Sequence, residues 1–294
     1  MPANTRDIRR RIKSVRNTSQ ITKAMQMVAA AKMRKAQQMA VGGRPYAELL
    51  SRTLAAVSSG TEDNAHELLK EREVKKELVL VFSTNKGLCG ALNTNLLREV
   101  AKFDPEKSVF VAVGRKGMQY LVRTKRTLAA EFELKDNFTF LESKNVSKFA
   151  MEAYLRADVD KVTVVFTDFI NTLTQVPKAR TILPISSLAV TVGIGGAQEE
   201  ATVEEVKGDS AVTFEPDQTE VLTALLPHFV HFQVYQMLLD ARASEHSSRM
   251  VAMKNATDNA KQLIKDLTLE YNKIRQASIT TELLEITTAQ MALG

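Results

Sequence analysis

HFVHFQVYQMLLDARASEHSSRMVAMKNATDNAKQLIKDLTLEYNKIRQASITTELLEITTAQMAL, residues 228–293, runs for 66 positions without a glycine or a proline. As a single helix it would reach roughly 100 Å, where helices of compact domains average three or four turns. Ala256, Ala260, Leu263, Leu267, Ile274, Ala277 and Leu284 recur at four-three spacing, the period of a helix seated against another helix. Glu270 and Thr281 fall in phase with them and leave the seam imperfect. One helix cannot bury a seam alone, so this stretch demands a partner of comparable length.

The partner is legible at the other end of the chain. From Asn4 or Thr5, either of which can cap a helix, no glycine or proline intervenes up to Val41. Ile8, Ile12 and Val15 form one apolar run, and Ile21, Met25 and Val28 form a second. Ala29, Ala30 and Ala31 keep the helix slim. Gly42-Gly43-Arg44-Pro45 predicts a kink or break, followed by a second helical piece over 46–59. Residues 1–60 carry 12 Lys/Arg against 2 acids, 61–216 carry 21 against 23, and 217–294 carry 7 against 9. The net charge of +6 therefore originates in the first sixty residues, a polarity that suits a partner surface of opposite sign.

Between these helices the character changes. Residues 77–82, Glu-Leu-Val-Leu-Val-Phe, predict a strand buried on both faces. A glycine-bearing loop over 83–90 leads to a helix over 91–103, a strand over 109–113 and a helix over 117–123. A strand over 127–134 follows, then a helix over 147–156, an alternating strand over 161–170 and a pairing strand over 175–183. Strands alternating with helices argue a mainly parallel α/β sheet. Residues 186–216, with four glycines and an acidic stretch, read as a loose surface segment. The expected organisation is a coiled-coil helix over 1–60, an α/β domain over 77–185, the loose segment, and the C-terminal coiled-coil helix over 217–294.

Composition excludes several classes. With 44% hydrophobic and 25% charged residues the chain is globular. No apolar run is long enough to span a bilayer, and the first residues lack a secretory signal. The lone Cys89 forbids an internal disulfide, and the absence of tryptophan argues against a base-stacking platform. His228 and His231 have metal-like spacing but no evident third ligand. Gly87 and Gly90 stand three apart, which fits neither a phosphate loop nor a dinucleotide fingerprint, so a tight turn is the simpler reading. No paired carboxylates or nucleophile with a base suggest catalysis. The basic helix is itself the paired one, which argues against zipper-type nucleic-acid binding.

Three segments resemble the gamma subunit of rotary F-type ATP synthases. They are residues 7–12, with Asn17-Thr18 and Ile21 through Arg34; Gly87-Leu88-Cys89-Gly90 with Asn93; and residues 249–260, with Tyr271-Asn272, Arg275-Gln276-Ala277 and Ile279 through Ile286. The resemblance implies an antiparallel coiled coil of the two termini carrying a Rossmann-like α/β domain. It implies a non-catalytic rotor shaft without cofactor or metal, coupling ion flow to ATP synthesis or hydrolysis. Implied partners are the alpha and beta subunits of the catalytic head, the epsilon subunit and the membrane ring of c subunits, with no nucleic acid. The implied location is peripheral, on the cytoplasmic face of a bacterial cell membrane, and proton or sodium coupling stays open.

Residue by residue, the resemblance places Lys23 and Met25 against the acidic lever of a beta subunit. Arg249, Gln276, Thr280 and Glu282 would make interhelix and ring contacts. Leu283, Leu284, Ile286, Met291 and Leu293 would turn in an apolar bearing. The family's closing Gly-Ala is here Ala289-Gln290. The alternative from the residues alone is a nucleotide-binding α/β domain carrying a coiled-coil oligomerisation arm.

Overall fold

The computed structural model describes residues 5–58, 66–185 and 217–293, apart from the side chains of residues 44, 48, 51, 55, 56, 58, 218, 219, 292 and 293. The loose segment expected over 186–216 lies outside the described residues. The chain divides into two compact units, residues 1–29 with 250–294, and residues 30–249.

The larger unit is built on a five-stranded sheet in the order β3-β2-β1-β4-β5. Its strands are β1 (Glu77–Phe82), β2 (Ser108–Val113), β3 (Leu128–Phe132), β4 (Lys161–Phe169) and β5 (Gln175–Leu183). The first four are parallel, and β5 is antiparallel to β4. The central strands read as continuous apolar runs because helices cover both faces of a parallel sheet. Five of the six residues of β1 are buried, and Val79, Val81, Leu96, Val100, Phe110 and Val165 share one core. The crossovers are α3 (Leu92–Ala101), α4 (Arg115–Arg123) and α5 (Phe140–Leu155).

α5 begins two turns before the expected 147. Thr139 and Glu142 form a reciprocal capping box, with Glu142 Oε2 accepting the Thr139 amide at 2.7 Å. At the strand ends, Gly114 has φ +109°, and a Cβ there would stand 2.3 Å from the Ser83 carbonyl oxygen. Ser83 Oγ accepts the Gly117 amide at 2.7 Å, so the loops after β1 and β2 are in backbone contact.

α1 (Thr5–Gly42) and α2 (Arg44–Ser58) are separated by Gly43 alone. The amide of Ala47 donates to the Gly43 carbonyl at 3.0 Å, and the buried positions keep four-three spacing through Met33, Ala36, Ala40, Ala47, Leu50, Leu54 and Val57. The expected kink is thus confined to one residue. Gly43 occupies a seam position, where a Cβ would meet Gln236 Nε2 at 2.3 Å.

α6 (Gln218–Leu293) has 76 residues and starts ten before the proline-free stretch. The Asp217 carboxylate caps it by accepting the Glu220 amide at 2.9 Å. Pro227 lies inside it, removing one ladder donor. In the larger unit α6 is buried on nearly all sides over residues 229–247. Leu226, Phe229, Val230, Val234 and Ala243 are fully buried, as in a helix that runs through a core.

In the smaller unit, the N-terminal part of α1 pairs with the C-terminal part of α6. Thr22 Oγ1 lies 2.7 Å from Thr257 Oγ1, and Arg9 Nη2 donates to the Tyr271 hydroxyl at 3.1 Å. Residue numbers rise on one helix as they fall on the other, so the pairing is antiparallel. The enclosed positions are Ile8, Ile12, Val15, Ser19, Thr22, Gln26 and Ala29 on α1. On α6 they are Met253, Thr257, Ala260, Ile264, Leu267, Tyr271 and Ile274. This corrects the expected seam. Ala260, Leu267 and Ile274 belong to it, but Thr257 and Ile264 replace Ala256 and Leu263, Leu263 is 43% exposed, and Ala277 and Leu284 are exposed beyond its end. Ile21 and Val28, read as a second apolar run, face outward at 60% and 55% exposure.

Candidate functional site

Two places concentrate unusual chemistry, one in each unit. In the smaller unit the seam ends at Ile274. Every side chain described from Arg275 to Met291 is exposed. Scattered exposed apolar residues are ordinary. Here Ile279, Leu283, Leu284, Ile286 and Met291 are all exposed on one helix end, Met291 at 84%. Among the described residues nothing covers this helix end.

The residues singled out from sequence lie as follows. Lys23 is exposed and Met25 half-buried on α1. Gln276, Thr280 and Glu282 are exposed on the uncovered part of α6. Thr280 donates to the Gln276 carbonyl at 2.9 Å, and Ser278 donates to Glu282 at 3.2 Å. Leu283, Leu284, Ile286 and Met291 are exposed on the same stretch, and the Leu293 side chain lies outside the described residues. Arg249 belongs to the larger unit. Its guanidinium donates to Glu245 Oε1 at 2.8 Å and to the Gly87 carbonyl at 3.3 Å.

Arg249 leads to the second place, the carboxyl end of the parallel strands. In open α/β sheets ligands bind in the crevice where the strand order reverses, here between β1 and β4. In this chain Leu238, Ala241, Arg242 and Glu245 of α6 fill it against Phe82, Ser83, Thr84 and Thr167, leaving a cavity of about 10 Å³. That is room for no more than about one water. The chain's own helix occupies the position of a nucleotide.

The helix is held there by side chains that donate to backbone carbonyls of the strand-end loops. Arg242 donates to Leu134 at 2.8 Å, Ser244 to Thr167 at 3.0 Å, Ser247 to Thr172 at 2.7 Å and Ser248 to Cys89 at 2.7 Å. Gly87-Leu88-Cys89-Gly90 is thereby a docking turn. Leu88 (φ 62°) and Gly90 (φ 58°) are both left-handed, and Asn93 Nδ2 donates to Thr84 Oγ1 at 2.8 Å. Burial pushes the Cys89 thiol up, opposed by the Arg249 charge.

Electrostatics at this socket are strongly shifted. Burial lowers the His246 pKa to about 4 despite the Glu245 and Asp136 charges that favour protonation. Burial opposes ionisation of Asp136, but the Lys32 hydrogen bond at 2.5 Å and its charge outweigh it and hold the carboxyl below its usual range. His231, against Ser147 at 2.6 Å, is likewise lowered to about 4 by burial. It is a neutral core histidine, and among the described residues no group of three ligands could hold a metal ion. Sequence reasoning missed Arg242, Ser244, Glu245, Ser247 and Ser248. The available signal was their density, a polar run in a stretch that begins as the strongly apolar 229–239.

The family described as ATP synthase matches residues 4–293. The ATP synthase gamma chain of Methylacidiphilum infernorum is 48% identical over 99% of this chain and all of its own. That of Opitutus terrae is 49% identical over 99% of each. The chain belongs to the ATP synthase gamma-chain family. As a gamma chain it is a non-catalytic, central-stalk subunit of a membrane-associated complex. No described helix is long and apolar enough to cross a membrane. Among solved structures it resembles a chain of the Tetrahymena thermophila mitochondrial ATP synthase central stalk and c-ring. The TM-score is 0.58 at 26% identity, covering 80% of this chain and 99% of that one. A chain of the Euglena gracilis mitochondrial enzyme shares the fold at TM-score 0.68 and 19% identity, over 98% and 94% of the two chains. The gamma-chain fold is thus the one described above, with a Rossmann-like sheet and paired terminal helices.

Proposed function

We propose that this gamma chain is the rotating shaft that couples ion flow through a membrane sector to ATP synthesis or hydrolysis in a catalytic head. The observation that carries the reading is the bare end of α6, where every side chain described from Arg275 to Met291 is exposed and five are large and apolar. A helix end of this kind makes contacts without becoming fixed if its surroundings offer a smooth apolar collar. Leu283, Leu284, Ile286, Met291 and Leu293 would turn in such a bearing formed by alpha and beta subunits. Gln276, Thr280 and Glu282 would meet the ring just below it.

Lys23, exposed on the flank of α1 across the seam from the outward Ile21 and Val28, suits an acidic lever segment of a beta subunit. Met25, half-buried, lies on the other flank with Ile21 and Val28. Coupling requires that each catalytic subunit meet a different face of the shaft, because only differential contact can bias a conformational equilibrium. The pair of helices supplies this: one face carries Ile21 and Val28, and others carry Arg10, Lys13 and Arg16. The epsilon subunit and the c-ring are the partners assigned to the rest of the rotor, at the cytoplasmic face of the membrane.

The test replaces Leu283, Leu284 and Ile286 together by serine in the assembled complex, reconstituted in vesicles. The three are exposed, so the chain should keep its stability, while ions pumped per ATP hydrolysed should fall at least twofold. An unchanged ratio would refute the bearing.

A further inference from the structure

At the carboxyl end of the sheet, the Glu245 side chain makes no hydrogen bond to the docking loops and yet engages two arginines that do. Glu245 Oε2 accepts from Arg242 Nη1 at 2.7 Å, and Glu245 Oε1 accepts from Arg249 Nη2 at 2.8 Å. The spacing of three before and four after places both guanidinia on one face of α6. Each arginine then spends its other donors on a different loop, Arg242 on the Leu134 carbonyl after β3, and Arg249 on the Gly87 carbonyl after β1. The side chains of Arg242, Glu245 and Arg249 are 6%, 4% and 12% exposed. At that burial an arginine without its counter-ion moves toward water, taking its carbonyl contact with it.

We propose that Glu245 is the positioning residue of a clamp, a single carboxylate that aims two arginines so that α6 grips two loops of the sheet domain at once. The clamp makes a turning moment on α6 reach the sheet through directed bonds as well as through greasy contact, which would permit slip. Only this mechanical role rests on the shaft reading above; the geometry of the hub does not.

Glu245→Gln keeps the size and turns one of the two acceptors into a donor facing a guanidinium. In the full chain, hydrogen exchange should accelerate at least tenfold in both residues 84–92 and residues 133–138, with the amides of β1 and β2 unchanged. Arg249→Leu should loosen only the first segment and Arg242→Leu only the second. In the reconstituted complex, Glu245→Gln should lower ions pumped per ATP at least twofold while ATP hydrolysis continues. Three results overturn the proposal: neither loop loosens; exchange rises in β1 and β2 as well, which makes Glu245 a folding requirement; or both loops loosen with the pumping ratio intact. A wild-type complex that fails to pump at all would defeat the shaft reading, and the exchange pattern would still judge the hub.

Discussion

The two hydroxyls buried in the shaft seam make a measurable prediction. Thr22 Oγ1 and Thr257 Oγ1 are 2.7 Å apart, and each also has a carbonyl of its own helix within reach, Ser19 at 3.1 Å and Met253 at 2.8 Å. Two hydroxyl protons therefore serve three contacts, of which one crosses between helices. Replacing either threonine by valine removes the crossing bond and leaves the other hydroxyl satisfied by its own carbonyl. No buried group is orphaned, and only the net value of one hydrogen bond is lost, about 1 kcal/mol, partly offset by the added methyl. The second substitution has no crossing bond left to break. A double-mutant cycle should thus return a coupling of about 0.5–1.5 kcal/mol. The readout is native-state hydrogen exchange of α1 amides around residues 15–26, where 1 kcal/mol is about a fivefold change in opening. Additive effects, with coupling below about 0.3 kcal/mol, would refute the seam phase, since Thr22 and Thr257 would then not face each other.

Three further outcomes are expected. Met25→Lys adds a cation to the flank of α1 that carries Ile21 and Val28; stability should move by less than about 1 kcal/mol, and ATP-driven pumping in vesicles should fall, so unchanged pumping speaks against a partner contact on that flank. His231 and His246 have pKa values lowered to about 4 in the fold against 6.5 when unfolded. Their contribution is therefore complete above pH 6.5 and is lost as the pH falls toward 4, at about 3 kcal/mol for each. A denaturant midpoint independent of pH across that window would contradict their burial as neutral groups. Gly114→Ala places a Cβ 2.3 Å from the Ser83 carbonyl at φ +109°; the larger unit should lose more than about 3 kcal/mol or fail to fold, and wild-type thermal stability would show that the loops after β1 and β2 do not meet.

Much of the architecture was readable because it is written in local periods. The short apolar run 77–82, closed by a glycine-bearing loop, has the length and boundaries of a strand covered on both faces, and the absence of glycine and proline in 228–293 leaves few alternatives to helix. The start of α5 was equally local and was passed over. Thr139-Phe140-Leu141-Glu142 is a capping box that the later apolar period obscured. The phase of the shaft seam was a different matter. Adjacent helical residues stand about 100° apart, so Leu263 and Ile264 are nearly equal candidates for one stripe. Four-three spacing admits Ala256 and Leu263 as readily as Thr257 and Ile264, and only the opposing helix separates the two phases.

By itself the sequence determined the strands, the two long helices, the basic N-terminal sixty residues and the family motifs, because each is a property of residues close together in the chain. Only the tertiary structure decided that Thr257 and Ile264 line the seam while Ile21 and Val28 face outward, since that choice depends on the opposing helix. It alone placed α6 in the ligand crevice of the sheet and gathered Arg242, Glu245 and Arg249 against the carbonyls of Leu134 and Gly87. The carbonyls carry no side-chain identity, and a donor to a backbone more than a hundred residues away leaves no period by which it could be read.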